Sequence, residues 1–367
     1  MKVAIVHDYI KEYGGAERVL EALTEIYPDA PVYTSIYLPS FLGPHKKRFK
    51  DLKIITSWAQ ILPFKSKLIS PIRLIAPMLF KSFDFSGFDV VIVSSTGSYI
   101  SNSISKKNAI QISYTHTPPR YLYGYETARN WKKNIVFRIL GTVAVHFLRM
   151  WDFKYSQNVD FYIANSKEVA MRIKKFYRRD STVIYPPVDL PQASVSPQKR
   201  EYFLTGGRIA RAKHTDLIVD VFIKNKLPLK IFGKGFAGFE AEIKEKIKGK
   251  SNIEFLGEVT DSEKFELLRG AKAFVFASED EDFGITPVEA MAVGIPVVSH
   301  KSGGVIESVS EGKTGIFYDE LTPESLNSAI QKFAKMNFRS EDCIKQAQRF
   351  GKERFKREIG EFVEKHA

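Results

Sequence analysis

The stretch Ser278-Glu279-Asp280-Glu281-Asp282-Phe283-Gly284-Ile285-Thr286-Pro287-Val288-Glu289 gathers four consecutive carboxylates in front of a run with helical character. Carboxylates hydrogen-bond neutral hydroxyls, as holding a sugar requires, and the N-terminus of a helix favours negative charge. Thr286 and Glu289 have the spacing of an N-cap and its capping-box partner, with Pro287 at the first helical position, so a structural role accounts for Glu289. Glu281 has no such local role. A second stretch, Thr205-Gly206-Gly207-Arg208-Ile209-Ala210-Arg211-Ala212-Lys213, sets two cations a short loop apart. Arg208 and Lys213 can converge on a diphosphate and stabilise the charge of a departing group; alone, they would equally be solvated surface residues. A third, Gly14-Gly15-Ala16-Glu17, lets backbone approach a phosphate or sugar closely, or is an ordinary flexible turn.

The elements that must hold these residues follow from hydrophobic periodicity. Short β-branched runs alternate with helical patterns, the signature of parallel sheets built from βαβ units. The runs are Val3 to Val6, Val90 to Val93, Ile110 to Tyr114, Phe161 to Ala164 and Val183 to Tyr185. After them come Tyr202 to Thr205, Leu229 to Phe232, Ile253 to Leu256, Ala273 to Ala277 and Pro296 to Ser299. A proline-rich, small-residue connection from Pro186 to Pro197 separates the two sets. Two α/β domains are expected, 1–190 and 200–344, with a charged helix at about 345–367 returning to the first. The three glycine- or charge-bearing stretches all lie at strand ends, where open α/β sheets bind ligands.

With 367 residues, 44% hydrophobic and 13% aromatic, the chain can bury two cores, which excludes disordered and fibrous classes. Fifty-five Lys and Arg against 42 Asp and Glu leave +13, which calls for an anionic partner. The single Cys343 excludes an internal disulfide framework and points to a reducing, cytoplasmic compartment. His7, Asp8, Lys11 and Glu12 interrupt the opening apolar run too early for a signal peptide. No run reaches the roughly 18 to 20 apolar residues of a membrane span. Ile135 to Leu148, with Trp131, Lys132, Lys133, Arg138 and Arg149, reads either as a basic amphipathic helix lying on an anionic membrane or as a buried or interdomain helix. Trp58 to Phe83, with Lys65, Lys67, Arg73 and Lys81 among apolar residues, reads either as a lipid-phosphate surface or as a packed helical subdomain.

Glu281 and Glu289, with seven residues between them around Phe283-Gly284 and followed by Ala290-Met291-Ala292, resemble the paired-glutamate motif of the retaining glycosyltransferase family 4. In the family's order come also Gly14-Gly15, Tyr114-Thr115-His116-Thr117-Pro118-Pro119-Arg120-Tyr121, Tyr185-Pro186-Pro187-Val188-Asp189, Arg208 with Lys213, Phe255-Leu256-Gly257 and Ser302-Gly303-Gly304. The resemblance implies the GT-B fold, two Rossmann-like doubly wound parallel-sheet domains facing across a cleft. It implies that Arg208 and Lys213 bind the donor diphosphate, that Glu281 contacts the sugar and that Glu289 holds the ribose. Phe283, Gly284, Ile285 and Thr286 would offer backbone N–H groups, and Gly14, Gly15, Gly207, Gly233 and Val259 would line the donor. His116 would sit beside the transferred sugar, with Arg120 and Tyr121 on the acceptor side. The segment from His116 to Tyr121 is most similar to mannosyltransferases of O-antigen and exopolysaccharide assembly. Those often carry Met where Pro119 stands and Trp-Asp where Tyr123-Gly124 stands, so GDP-mannose leads as donor and a UDP-hexose stays open. The implied acceptor is a saccharide or a polyprenyl-diphosphate-linked saccharide. No metal or cofactor beyond the nucleotide-sugar co-substrate is expected.

Three motifs compete. Gly233-Lys234-Gly235-Phe236-Ala237-Gly238 is a literal G-x-G-x-x-G with Glu258 about 20 residues on, as in NAD-dependent dehydrogenases, but it falls in the second strand unit of its domain. Asp280-Glu281-Asp282 has the D-x-D pattern of metal-dependent transferases, although a solvated acidic loop explains it as well. Gly312-Lys313-Thr314 lacks the first glycine of a phosphate loop, since Glu307 stands there. A basic nucleic-acid-binding protein would explain the charge, but no recognition module accompanies it, so no nucleic-acid partner is expected.

Overall fold

The computed structural model describes residues 1–125, 135–191 and 200–367, excepting the side chains of 135–139. Trp131, Lys132 and Lys133, the side chain of Arg138, and the connection from Gln192 to Pro197 therefore lie outside the described residues. The chain divides into two compact units: the described residues up to Pro187 together with Lys352–Ala367, and Val188–Gly351.

The first unit begins β1 (Val3–His7), α1 (Gly15–Ile26), β2 (Val32–Thr34), β3 (Ile54–Thr56), α2 (Lys65–Ile72), α3 (Ala76–Lys81), β4 (Val90–Ser95) and β5 (Ile110–Thr115). It continues through α4 (Ile135–Ser156), β6 (Phe161–Ala164), α5 (Lys167–Tyr177) and β7 (Thr182–Val183). The seven strands form one parallel sheet in the order β3-β2-β1-β4-β5-β6-β7. β1 and β4 are buried at every residue, as strands covered on both faces must be, and so they read as unbroken apolar runs. β7 stops short of the expected Tyr185, ahead of Pro186 and Pro187, which have no N–H for a ladder.

The second unit runs β8 (Tyr202–Ile209), α6 (Thr215–Asn225), β9 (Leu229–Gly235), α7 (Phe239–Ile247), β10 (Ile253–Gly257), α8 (Asp261–Arg269) and β11 (Ala271–Phe276). It closes with α9 (Ile285–Ala292), β12 (Val297–His300), α10 (Val305–Ser308), β13 (Gly315–Tyr318), α11 (Pro323–Phe333) and α12 (Ser340–Gln348). Its parallel sheet has the order β10-β9-β8-β11-β12-β13. In both sheets the winding reverses beside the unit's first strand, β1 or β8, and such a switch point is where doubly wound sheets open a crevice for ligands.

The charged C-terminal segment is two helices that part at Gly351. α12 belongs to the second unit, whereas α13 (Lys352–His366) belongs to the first. There Phe355, Ile359 and Val363, one turn apart, join the core beneath α1, and the Phe355 ring meets Tyr114 edge-on at 5.6 Å. Lys356 pairs with Glu25 of α1 at 2.6 Å. The Trp58 to Phe83 stretch is helical, with Ile72, Ala76, Leu79 and Phe80 buried in the first unit's other core face. Among the described residues no helix is long and apolar enough to cross a membrane.

Candidate functional site

In the second unit the site grows from the pairing of β8 with β9, which continues to Ile209 and Gly235, well past the apolar runs. Glycine makes that extension possible. Gly207 lies opposite Gly233 in the register, and a Cβ on Gly233, whose φ is +133, would fall 1.8 Å from the Gly207 carbonyl oxygen. A Cβ on Gly207 itself would face Thr286 Oγ1 at 3.8 Å, so the glycine stretch comes up against the start of α9. The first two glycines of the G-x-G-x-x-G run thus lie inside a strand rather than in a strand-to-helix turn. Glu258, the residue a dehydrogenase would turn to a ribose, pairs at 3.2 Å with Lys234.

Lys213 ends a short 3-10 turn, Arg211–Lys213, after β8. Its ammonium meets the Glu281 carboxylate directly and lies 3.3 Å from Ser278 Oγ and 5.7 Å from the centre of the Phe276 ring. Ser278 Oγ donates to the same Glu281 oxygen at 2.5 Å. Arg208, at the end of β8, is exposed with its guanidinium over the Phe236 ring. The acidic loop is clamped from behind. The Gly304 N–H donates to the Glu281 carbonyl at 2.7 Å, Ser302 Oγ accepts from the Asp280 N–H at 3.0 Å, and a Cβ on Gly303 would strike the Glu281 carbonyl oxygen at 2.2 Å. The Ser302-Gly303-Gly304 sequence is therefore a backing for Glu281, and only glycine fits its middle position.

One local expectation fails. Thr286 is not an N-cap: α9 begins at Ile285, with Gly284 capping it in a left-handed conformation and no side-chain cap. Glu289 makes no capping box. It is buried and accepts from Lys264 Nζ at 2.6 Å, and Lys264 also donates to Asp261 at 3.0 Å. The spacing rule lost to a buried ion pair that only the fold assembles, because Lys264 lies 25 positions away on α8. With neither a capping side chain nor an acidic residue in its first turn, α9 presents its leading N–H groups beside Gly207. Phe283, just before it, is buried with its ring centre 5.3 Å from that of Phe350. Val259 is half-buried after β10, next to Thr260, which caps α8 in a genuine capping box with Glu263.

In the first unit the switch point collects a buried polar chain. His7 Nδ1 lies 3.1 Å from Ser94 Oγ, and Ser94 Oγ lies 3.0 Å from His116 Nε2. Burial, and secondarily His7, pushes the His116 pKa down to about 3, so His116 is a neutral hydrogen-bonding group. At the far end His7 Nε2 is 3.7 Å from Glu17, whose other oxygen accepts from the Gly14 N–H at 2.8 Å. Gly14 caps α1 and Gly15 opens it, so the glycine pair lies beside the His7 end of this chain, with Glu17 between them. Asp8 is fully buried: one oxygen accepts from Thr96 Oγ1 at 2.6 Å, Tyr99 N at 2.9 Å and Ser98 N at 3.0 Å, while Oδ1 has no partner among the described residues. The Tyr121 hydroxyl and Arg120 Nε are likewise buried without a partner among the described residues, and Arg73 of the helical stretch stacks 4.3 Å over the Tyr121 ring.

Sequence reading missed His7, Asp8, Ser94, Ser278 and Lys264. His7 and Asp8 registered only as interruptions of an apolar run, although polar residues at the carboxyl end of a buried first strand are themselves a signal. Lys264 carried none, since a lysine on a helix is normally solvated.

Two family models cover most of this architecture: residues 13–192 match "Glycosyltransferase Family 4" and residues 189–350 match "Glycosyl transferases group 1". The chain is 31% identical over 140 residues to the mannosylfructose-phosphate synthase of Agrobacterium fabrum, a stretch spanning 34% of this chain and less than a third (31%) of that protein. It is 25% identical over 371 residues to the alpha-1,3/1,6-mannosyltransferase ALG2 of Mus musculus, spanning 87% of this chain and 84% of that one. In fold it is similar to Anabaena Alr3699/HepE, solved in complex with UDP and glucose, with a TM-score of 0.71 over 99% of both chains at 18% identity. The two switch-point sheets and these matches define a glycosyltransferase with the GT-B fold. Its first half carries the family 4 domain and its second half the group 1 domain.

Proposed function

We propose that the protein transfers mannose from GDP-mannose, with retention of anomeric configuration, to a polysaccharide or lipid-linked saccharide acceptor. The observation that carries this reading is the contact of Lys213 with Glu281 beside the uncapped start of α9. A cation, a carboxylate and a helix start without a side-chain cap meet there, the set a diphosphate-linked hexose needs. Arg208, Lys213 and the α9 N–H groups stabilise the leaving diphosphate, while Glu281 accepts from hexose hydroxyls. As the bond from the anomeric carbon to the phosphate oxygen breaks, an acceptor hydroxyl bonds to that carbon from the same face, and its proton passes to the departing phosphate oxygen. No protein nucleophile is required. Glu289, with one oxygen on Lys264, is assigned to the ribose. Gly14, Gly15, Gly207, Gly233 and Val259 are assigned to close backbone approach, and Arg120 and Tyr121 to the acceptor.

Mannose is favoured by the names of the two relatives, both mannosyl enzymes. A UDP-hexose is the second reading, because Pro119 and Tyr123-Gly124 depart from the mannosyltransferase pattern. Thermal melting with GDP-mannose, UDP-glucose and UDP-galactose decides between them, since a ligand bound only by the native state raises its stability. Stabilisation by GDP-mannose alone is expected. Selective stabilisation by a UDP-sugar moves the assignment to the second reading, and no response to any nucleotide sugar overturns both.

A further inference from the structure

Among its described side chains, α4 is buried on one side only. Leu148, Asp152 and Ser156 face the first unit, whereas Leu140, Val143, Phe147, Met150 and Trp151 repeat at helical spacing along another side and lie open to solvent. Leu140, Met150 and Phe147 are 63%, 56% and 53% exposed, on a helix of 22 residues. Isolated exposed apolar residues need no explanation, but five in one stripe do. Beside the stripe, between α4 and α5, lies a pocket of about 550 Å³ whose charged lining, among the described residues, is cationic: Arg149, Lys175 and Arg178. Each cation lies over an aromatic ring that lines the same pocket, Arg149 over Tyr123 at 6.0 Å, Lys175 over Phe176 at 5.3 Å and Arg178 over Phe153 at 6.0 Å. None of the three pairs with a described carboxylate, in a chain of net charge +13.

We propose that this side of α4 and the cationic pocket on its flank form a docking surface for an anionic phospholipid bilayer. The stripe enters the boundary between headgroups and acyl chains, and Arg149, Lys175 and Arg178 take lipid phosphates. Charge complementarity selects this occupant. A partner protein's apolar groove would satisfy the stripe but leave three adjacent cations unmatched, whereas a bilayer supplies an apolar layer and a phosphate plane a few ångströms apart. Aromatic residues such as Trp151 suit that boundary. The surface deepens the lipid-linked acceptor reading and rests on it only for its purpose, because the binding can be measured without any sugar.

The test is co-sedimentation of the full chain with vesicles of phosphatidylcholine alone or with 30% phosphatidylglycerol, at low and at about 0.5 M salt. Binding should require the anionic lipid and weaken with salt. Lys175→Glu with Arg178→Gly, the glycine suiting the left-handed backbone of Arg178 (φ 57), should lower partitioning about 25-fold. Phe147→Ser with Trp151→Ser should lower it about 10-fold or more. All variants should keep the wild-type melting temperature and its nucleotide-sugar shift. Equal binding by wild type and both variants overturns the proposal. So does a wild type that ignores anionic vesicles, or one whose stripe mediates a dimer by light scattering instead. If vesicle binding holds while no nucleotide sugar stabilises the protein, the assigned activity fails and the docking surface stands.

Discussion

The contact between Lys213 and Glu281 makes a quantitative demand on mutants. Loss of one contact that stabilises developing charge costs on the order of 100-fold in rate, so Lys213→Ala and Glu281→Ala should each reduce transfer by about that factor or more. If the two side chains acted independently, the double variant would fall about 10⁴-fold. They touch, however, and both contact Ser278. Removing Lys213 therefore also releases Glu281 from its orientation, and contacting residues couple by roughly 0.5–3 kcal/mol, about 2- to 150-fold. The double variant should stop between roughly 10²- and 5 × 10³-fold. Stability should hardly change, because the Lys213 and Glu281 side chains are 30% and 15% exposed and a solvent-screened pair contributes only about 0–1 kcal/mol. Release of nucleoside diphosphate from the donor, with melting as the control for folding, measures both. Near-normal turnover in either single variant refutes that residue's role, and a full 10⁴-fold loss in the double refutes their action as a unit.

Ser94→Ala should leave donor affinity within about threefold while lowering turnover about 10-fold or more, since His116 loses the hydroxyl that fixes its ring; unchanged turnover would show that the chain from His7 does not position His116. Asp152 is buried against Tyr123 at 2.8 Å, and burial raises its pKa from 3.8 to about 7, so between those values the folded state holds a proton the unfolded state has lost. That contribution to stability is fully present below 3.8 and lost as pH rises to about 7, at up to about 1.4 kcal/mol per pH unit. Asp152→Asn should therefore gain on wild type in melting temperature between pH 5 and pH 8, and a constant difference would refute the buried ionisation. Gly233→Ala must push β8 and β9 apart and should cost more than about 3 kcal/mol; a melting temperature within about 2 °C of wild type would mean the glycine contact is not as close as described.

The strands that the sequence made legible are those buried on both faces, such as β1, β4 and β6, where continuous apolar runs leave little choice. β2, β3 and β13 were not read from the sequence; each is a short strand of three or four residues held by its pairing with β1, β2 or β12. The site divides in the same way. Residues placed by their own strand end, including Gly207, Arg208, Lys213 and Glu281, could be found by position and residue type. Lys264 could not, because its partner Glu289 lies 25 positions away; Ser302 stood in a motif, but its bond to the Asp280 N–H, 22 positions away, appears only in the fold. The capping-box misreading has the same origin. The Thr286 to Glu289 spacing is sound local chemistry, yet Gly284 and a buried lysine outcompeted it.

The electrostatic character of the two units also differs. His116 is held neutral by burial and by its neighbour His7, so it can orient or exchange a hydrogen bond but cannot supply a positive charge. Asp8 places a buried carboxylate at the same switch point. The first unit's switch point is thus unsuited to gripping a diphosphate. The second unit's equivalent position carries Arg208, Lys213 and uncapped helix N–H groups. The same winding has been given opposite electrostatic sense, and the sense follows from which residue types end the first strand of each sheet: His7 and Asp8 in one, Gly207 and Arg208 in the other. That asymmetry is what the proposed reading rests on: cations and a helix start suit a diphosphate in the second unit, and neutral hydrogen-bonding groups suit hydroxyls in the first.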